Sequence, residues 1–158
     1  MSHNKNKSGR SKVIKSKNYS WEGIDKHQYK TKGTGFKDIH RYSLLTDDFP
    51  ELNAHTRYFE IQAGGYSSLE FHRHPHSVIV LRGSGSVILE NEIHEIGLHD
   101  LVFISPGTIH QFQADKNSPL GFLCIVDRYR DKPVLPDENL IEQRIKDPRI
   151  KVKIKKKS

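Results

Sequence analysis

A chain of 158 residues is long enough for one domain with a sizeable core, and its single cysteine, Cys124, rules out an internal disulfide framework. The net charge of +7 sits at the ends: residues 1–17 hold six basic and no acidic side chains, residues 144–158 hold eight basic ones against Asp147, and residues 18–143 hold twelve basic against eighteen acidic. An acidic body without a base-stacking or groove-reading motif argues against specific nucleic-acid binding, and no apolar run approaches the ~18–20 residues needed to span a bilayer.

Residues 1–17 form a Lys/Ser/Asn leader with little apolar surface to bury, expected to be disordered. No apolar signal segment follows Met1, which points to a cytoplasmic protein. Residues 18–136 are expected to form the folded domain, starting near Trp21. From Ile39 onward, short segments rich in Val, Ile, Leu, Phe and Tyr alternate with Gly, Pro, Asn and Asp, an all-β signature. The predicted strands are Ile39–Leu45, Arg57–Gln62, Ser67–Phe71, Ser77–Arg82, Gly85–Leu89, Glu92–Ile96, Leu101–Ile104, His110–Ala114 and Leu120–Asp127, with Glu90-Asn91 as a tight hairpin turn. Residues 137–146 carry the one helical spacing, Leu140, Ile141, Arg144 and Ile145, with Asp137 as N-cap, and the helix is expected to pack outside the strands. Residues 147–158 read as a basic tail; Lys151 to Lys157 alternates at first, which permits an edge strand, but five lysines in seven residues favour fraying.

The chemistry concentrates in two segments. His72, His74 and His76 alternate, so on an extended backbone they share one face with Glu70, although Pro75 favours a kink. His110 closes Ser105-Pro106-Gly107-Thr108-Ile109-His110. A single histidine carries no functional implication. Here, a glycine pair, an acid, three alternating histidines, an apolar strand ending in Gly83 and then Pro-x-x-x-His fit a divalent-metal site built on imidazole without cysteine.

The run from Gly64 through Glu70, His72, His74 and His76 to Val80-Leu81-Arg82-Gly83 resembles the first motif of the cupin superfamily, and Asp100 to Phe112, with Pro106 and His110, resembles the second. With Arg57-Tyr58-Phe59-Glu60 and Gly121-Phe122-Leu123-Cys124, the resemblance covers about residues 39–130 and implies a jelly-roll β-barrel, the cupin double-stranded β-helix. The first motif in that family is His-x-His, then Glu or His four residues on, then glycine seven further. Placing His72 and His74 on the pair would put Val78 at the third position, and valine binds no metal. Shifting by two puts Glu70, His72 and His76 on the three positions, with Gly83 seven residues after His76. The resemblance thus implies one divalent ion on His72, His76 and His110. Glu70 is either a direct ligand or an orienting group, and His74 is a supporting group or a substitute ligand. The second motif departs from the family at Asp100 and Ala114, both away from the ligand position.

Manganese or iron is the metal the resemblance implies first, with nickel and zinc compatible with the same ligands. Arg57 to Glu60, the histidine run and the strand bearing Cys124 look like a group of bacterial single-domain cupins that includes a manganese enzyme acting on a methylthio-ketose phosphate. That likeness implies a metal-dependent enzyme for a small, polar, sugar-phosphate-like substrate, with isomerase- or transferase-type Lewis-acid chemistry. Glu70, His74 and Cys124 are then the catalytic candidates, Cys124 being either a thiol in the reaction or a small apolar core residue. Two alternatives stay open, an iron(II) dioxygenase and a non-catalytic module that binds a small ligand. Unprotected strand edges in a barrel of this size lead to the expectation of a homodimer.

Overall fold

In the computed structural model, which describes residues 10–30 and 35–156, the alternating segments become strands and the helical spacing becomes a helix. Three short strands come first: β1 (Ser16–Lys17), β2 (Ser20–Trp21) and β3 (Lys26–Gln28). They are followed by β4 (Lys37–Leu45), β5 (Ala54–Tyr66), β6 (His76–Leu89), β7 (Glu92–Gly97), β8 (Leu101–Ile104), β9 (His110–Ala114) and β10 (Leu120–Asp127). Strands β3 to β10 form one antiparallel sheet, and it closes into a barrel because β5 and β6 each pair with both β9 and β10. Inside, Ile61, Val80, Ile104 and Leu120 are fully buried, and Phe122 stacks between Phe112 (4.5 Å) and Phe59 (5.8 Å). Each such side chain contributes roughly 1.5–3 kcal/mol by leaving water.

Two strand expectations are corrected. Ser67–Phe71 is not a strand, since only Glu70 and Phe71 pair there, through isolated bridges to His110 and Val134. Ser77–Arg82 and Gly85–Leu89 are not separate strands but halves of β6. Gly83, at φ +66°, permits a bend that keeps the strand paired, and a Cβ there would sit 1.7 Å from the Pro119 carbonyl oxygen. The first half of β6 pairs with β8 and β10 and the second with β7 and β9, so one strand serves both sides of the barrel.

The ends of the chain cover the outside. Most of the predicted leader, residues 1–9, lies outside the described residues, but β1 and β2 form a hairpin whose turn residues Asn18 and Tyr19 both have positive φ. It lays Trp21 against Tyr58 (4.9 Å) and Tyr42 (5.4 Å) on the outer face of β4 and β5. At the other end, α1 (Glu138–Arg144) starts at Asp137, whose carboxylate accepts from Leu140 N (2.8 Å). Its Ile141, with Ile145, packs on Leu69, Ile88 and Ile109 outside the barrel. Arg144 donates to Glu90 and to the Gly107 carbonyl (2.7 Å), which ties the β6–β7 turn to the loop before His110. Beyond it α2 (Pro148–Lys151) buries Ile150, and the amides of Gln111 and Gln113 donate to the carbonyls of Lys155 (2.8 Å) and Lys153 (2.7 Å). The fraying expected of Lys151 to Lys157 is therefore corrected as far as Lys155, because polar side chains on the outer face of β9 need these partners. Among the described residues, no helix is long and apolar enough to cross a membrane.

On the outer face of β5 the Glu60 carboxylate accepts from Tyr58 Oη (2.7 Å), Arg82 Nη1 (2.8 Å) and Gln62 Nε2 (3.2 Å). Burial pushes this carboxyl up, but the three hydrogen bonds outweigh it and hold the group below its ordinary value of 4.5. A depressed carboxyl adds stability that is present above its unfolded pKa and is lost as the pH falls through the folded value. Thermal melts across the acid range should show wild type losing stability below about pH 4.5 more steeply than Glu60→Gln. Parallel acid limbs for the two proteins would show that this carboxylate contributes nothing to acid sensitivity.

Candidate metal centre

On the segment that leads from β5 into the first residue of β6, His72, His74 and His76 are buried while Arg73 and Pro75 are exposed, so the alternation begins before the strand does. Asp131, on the loop after β10, holds that bend. Its Oδ2 accepts from Arg73 N (2.9 Å), and its Oδ1 accepts from His74 N (3.0 Å) and from His74 Nδ1 (2.8 Å). These hydrogen bonds hold the Asp131 carboxyl well below the usual carboxylate range.

The protons on two rings are placed by backbone. His72 Nδ1 lies 2.7 Å from the His74 carbonyl and His110 Nδ1 lies 2.9 Å from the Thr108 carbonyl. A carbonyl only accepts, so in both rings Nδ1 carries the hydrogen and Nε2 keeps its lone pair. His72 Nε2 and His76 Nδ1 are buried with no hydrogen-bond partner among the described residues. One nitrogen from each of His72, His76 and His110 lies within 4.8 Å of the other two. Burial, together with the neighbouring imidazoles, pushes His76 far down. Burial also pushes His110 down to about 4 against the opposing pull of the Thr108 carbonyl and Glu70. His76 and His110 are thus neutral near neutral pH, and a buried nitrogen left unpartnered costs about 1–3 kcal/mol. Three converging imidazoles fit a divalent transition-metal ion, so the triad is able to hold one.

The other predicted residues surround this triad. His74 stacks on His72 (3.8 Å between centroids) and brings its Nε2 within 3.2 Å of His76 Nε2, which places it against the triad rather than in it. Burial lowers its pKa and the hydrogen bond to Asp131 opposes that. Glu70 pairs through its backbone with His110, and its Oε2 accepts from Lys30 Nζ (2.7 Å). Cys124 lies on β10 between Arg57 of β5 and Val78 of β6, with Arg57 Nη2 3.7 Å from its sulfur. Burial pushes the thiol up and the guanidinium opposes it. His76, His110, Glu70, His74 and Cys124 all border one cavity of about 460 Å³.

Sequence reasoning missed the basic residues of that cavity and the carboxylate that braces the histidines. Arg57 has the parity of Phe59 and Ile61 and Arg41 that of Ile39; a charged side chain at an inward position of a strand was the available signal. Asp131 had none, because only the fold brings the loop after β10 to the histidine bend.

The profile of the cupin domain family matches residues 57–126. The chain is 40% identical over 121 residues to 1-methylthio-D-xylulose 5-phosphate methylsulfurylase of Rhodospirillum rubrum, covering 76% of each protein. In solved structures it is similar to a cupin 2 conserved barrel domain protein from Rhodopseudomonas palustris (TM-score 0.83, 39% identity, 90% of this chain and 99% of that one). It is also similar to a cupin-2 domain from Rhodospirillum rubrum (TM-score 0.78, 34% identity, 90% and 95%).

Metal analysis of protein purified without a histidine tag should show a sharp loss of bound metal in His72→Ala, His76→Ala and His110→Ala. His74→Ala should keep most of its metal. Glu70→Ala should lie between, since loss of a group that orients a ligand costs about 10–100-fold in affinity. An empty site in His74→Ala with a full one in His76→Ala would mean that His72 and His74 form the ligand pair.

Proposed function

The chain belongs to the cupin family, and from that membership and its histidine triad we propose that it is a metal-dependent enzyme acting on a small ketose phosphate that carries a methylthio group. The observation that carries this reading is that His76 and His110 of the three-imidazole cluster border a basic cavity that also contains the chain's one thiol, Cys124. The 40% identical relative, named for its action on 1-methylthio-D-xylulose 5-phosphate, supplies the substrate class. A divalent ion on His72, His76 and His110, with manganese or iron the first candidates, supplies Lewis-acid polarisation of a substrate carbonyl.

The remaining steps fall to side chains. Arg57, 3.7 Å from Cys124 Sγ, favours the thiolate that burial disfavours. Thiolate attack on the substrate's thioether sulfur forms an S–S bond as the carbon–sulfur bond breaks. The electron pair passes to the carbon beside the ketose carbonyl, where it is delocalised, and that carbon then takes a proton. An external thiol afterwards reduces the methyl disulfide on Cys124 and regenerates the enzyme. His74, oriented through Nδ1 by Asp131, is the group in the cavity placed to take the proton that Cys124 gives up on ionising and to pass it to that carbon, and Glu70, pinned by Lys30, keeps the strand bearing His110 in register.

Incubation of the protein with 1-methylthio-D-xylulose 5-phosphate in the absence of added thiol should leave a methylthio group on Cys124, detectable by mass spectrometry, in argon as in air. Cys124→Ser should fold, carry no adduct and lose turnover. Normal turnover by the serine variant would remove the thiol from the reaction, and a strict requirement for dioxygen would favour an oxygenase instead.

A further inference from the structure

We infer that Arg41, Arg57 and Arg130 form an anchor for a phosphate dianion in the cavity that His76 and His110 also border. This rests on the substrate class proposed above and deepens it by naming the residues that hold the phosphate. Three observations converge. The cavity is bordered by six basic residues, Lys30, Arg41, Arg57, Arg128, Arg130 and Lys132, and by three acidic ones, Asp47, Glu70 and Asp131. Each of the three acids is engaged elsewhere: Glu70 with Lys30, Asp131 with His74 and the backbone, and Asp47 with His55 and Arg128. Arg41, Arg57 and Arg130 form no ion pair among the described residues.

The second observation is placement. Arg57 lies opposite Ser43 of β4 and Cys124 of β10, and Arg41 lies opposite Phe59, so the two arginines occupy neighbouring inward rows of one sheet face. Arg130 comes in on the loop after β10 and donates to His55 Nδ1 (3.0 Å) and the Asp127 carbonyl (3.3 Å), which holds its guanidinium at the same wall. The third is unmet hydrogen bonding: Arg41 Nε and Arg57 Nε are both buried without a partner among the described residues. Gathering guanidiniums at one wall is unfavourable unless an anion joins them, and burial together with the charge of Arg57 lowers the pKa of both Arg41 and Arg130. Planar guanidinium forks suit the several oxygens of a phosphate, and an excess of basic charge selects a dianion over a carboxylate.

The anchor also orients the substrate. Arg57 stands one inward row along β5 from His55, and Cys124 stands beside it, so a phosphate held by the arginines directs the rest of the molecule along the row toward Cys124 and the histidines.

Calorimetric titration of the full chain with inorganic phosphate tests this, using protein both metal-loaded and stripped by a chelator, with acetate as the monoanion control. Saturable one-to-one phosphate binding is expected in both forms, with acetate at least about tenfold weaker. Arg41→Gln and Arg130→Gln should each weaken phosphate by about tenfold or more, the scale of one lost charge-assisted hydrogen bond. Arg130 lies on a loop, so its variant carries the test if Arg41→Gln does not fold. Unchanged phosphate affinity in the arginine variants, acetate binding equal to phosphate, or phosphate binding that disappears with the metal would each overturn the anchor. Phosphate binding as described, without turnover of any methylthio-ketose phosphate, would leave the anchor standing and remove the proposed reaction.

Discussion

Burying imidazole nitrogens without a hydrogen-bond partner is the constraint on which the rest of this structure depends. The His74 and Thr108 carbonyls hold the hydrogens on the far sides of His72 and His110, and the nitrogens left over face one another with His76. Such a cluster is costly as it stands, because desolvation opposes charging the rings and nothing among the described residues donates to His72 Nε2 or His76 Nδ1. A divalent cation resolves both problems at once, since it accepts the lone pairs and needs the rings neutral.

The fold can be understood as support for that cluster. His76 and His110 are the first residues of β6 and β9, while His72 and His74 sit on the bend leading into β6. The bend is held from outside by Asp131, and the loop before His110 is held through Gly107 by Arg144 of α1. Two segments distant in sequence thus fix the two histidine-bearing loops. The same loop after β10 that sends Asp131 to His74 sends Arg130 into the cavity, which couples the position of the histidines to that of the basic wall.

Much of this was legible in the sequence where local chemistry determines the outcome. Leu101–Ile104, His110–Ala114 and Leu120–Asp127 fall at the predicted bounds, and Asp137 caps the predicted helix, because apolar alternation and a carboxylate before a helical spacing act within a few residues. It was the resemblance to the family's first motif, with Gly83 seven residues after His76, that set His74 apart from His72 and His76 in the sequence. Long-range pairing was not legible. Gly83 reads as a turn but bends a continuous strand, Ser67–Phe71 has strand composition but lacks neighbours to pair with, and the lysine-rich end is retained by Gln111 and Gln113. The basic wall was legible only in part, since Arg41 and Arg57 share the inward parity of Ile39 and Phe59, whereas only the fold brings Arg130 on the loop after β10 to the same cavity.

X-ray absorption at the edge of the bound metal measures the donor atoms directly. Three imidazole nitrogens per ion, with no sulfur, are predicted for the wild-type chain. A sulfur scatterer from Cys124, or a shell of oxygen atoms without imidazole, would contradict the assignment of the metal to His72, His76 and His110.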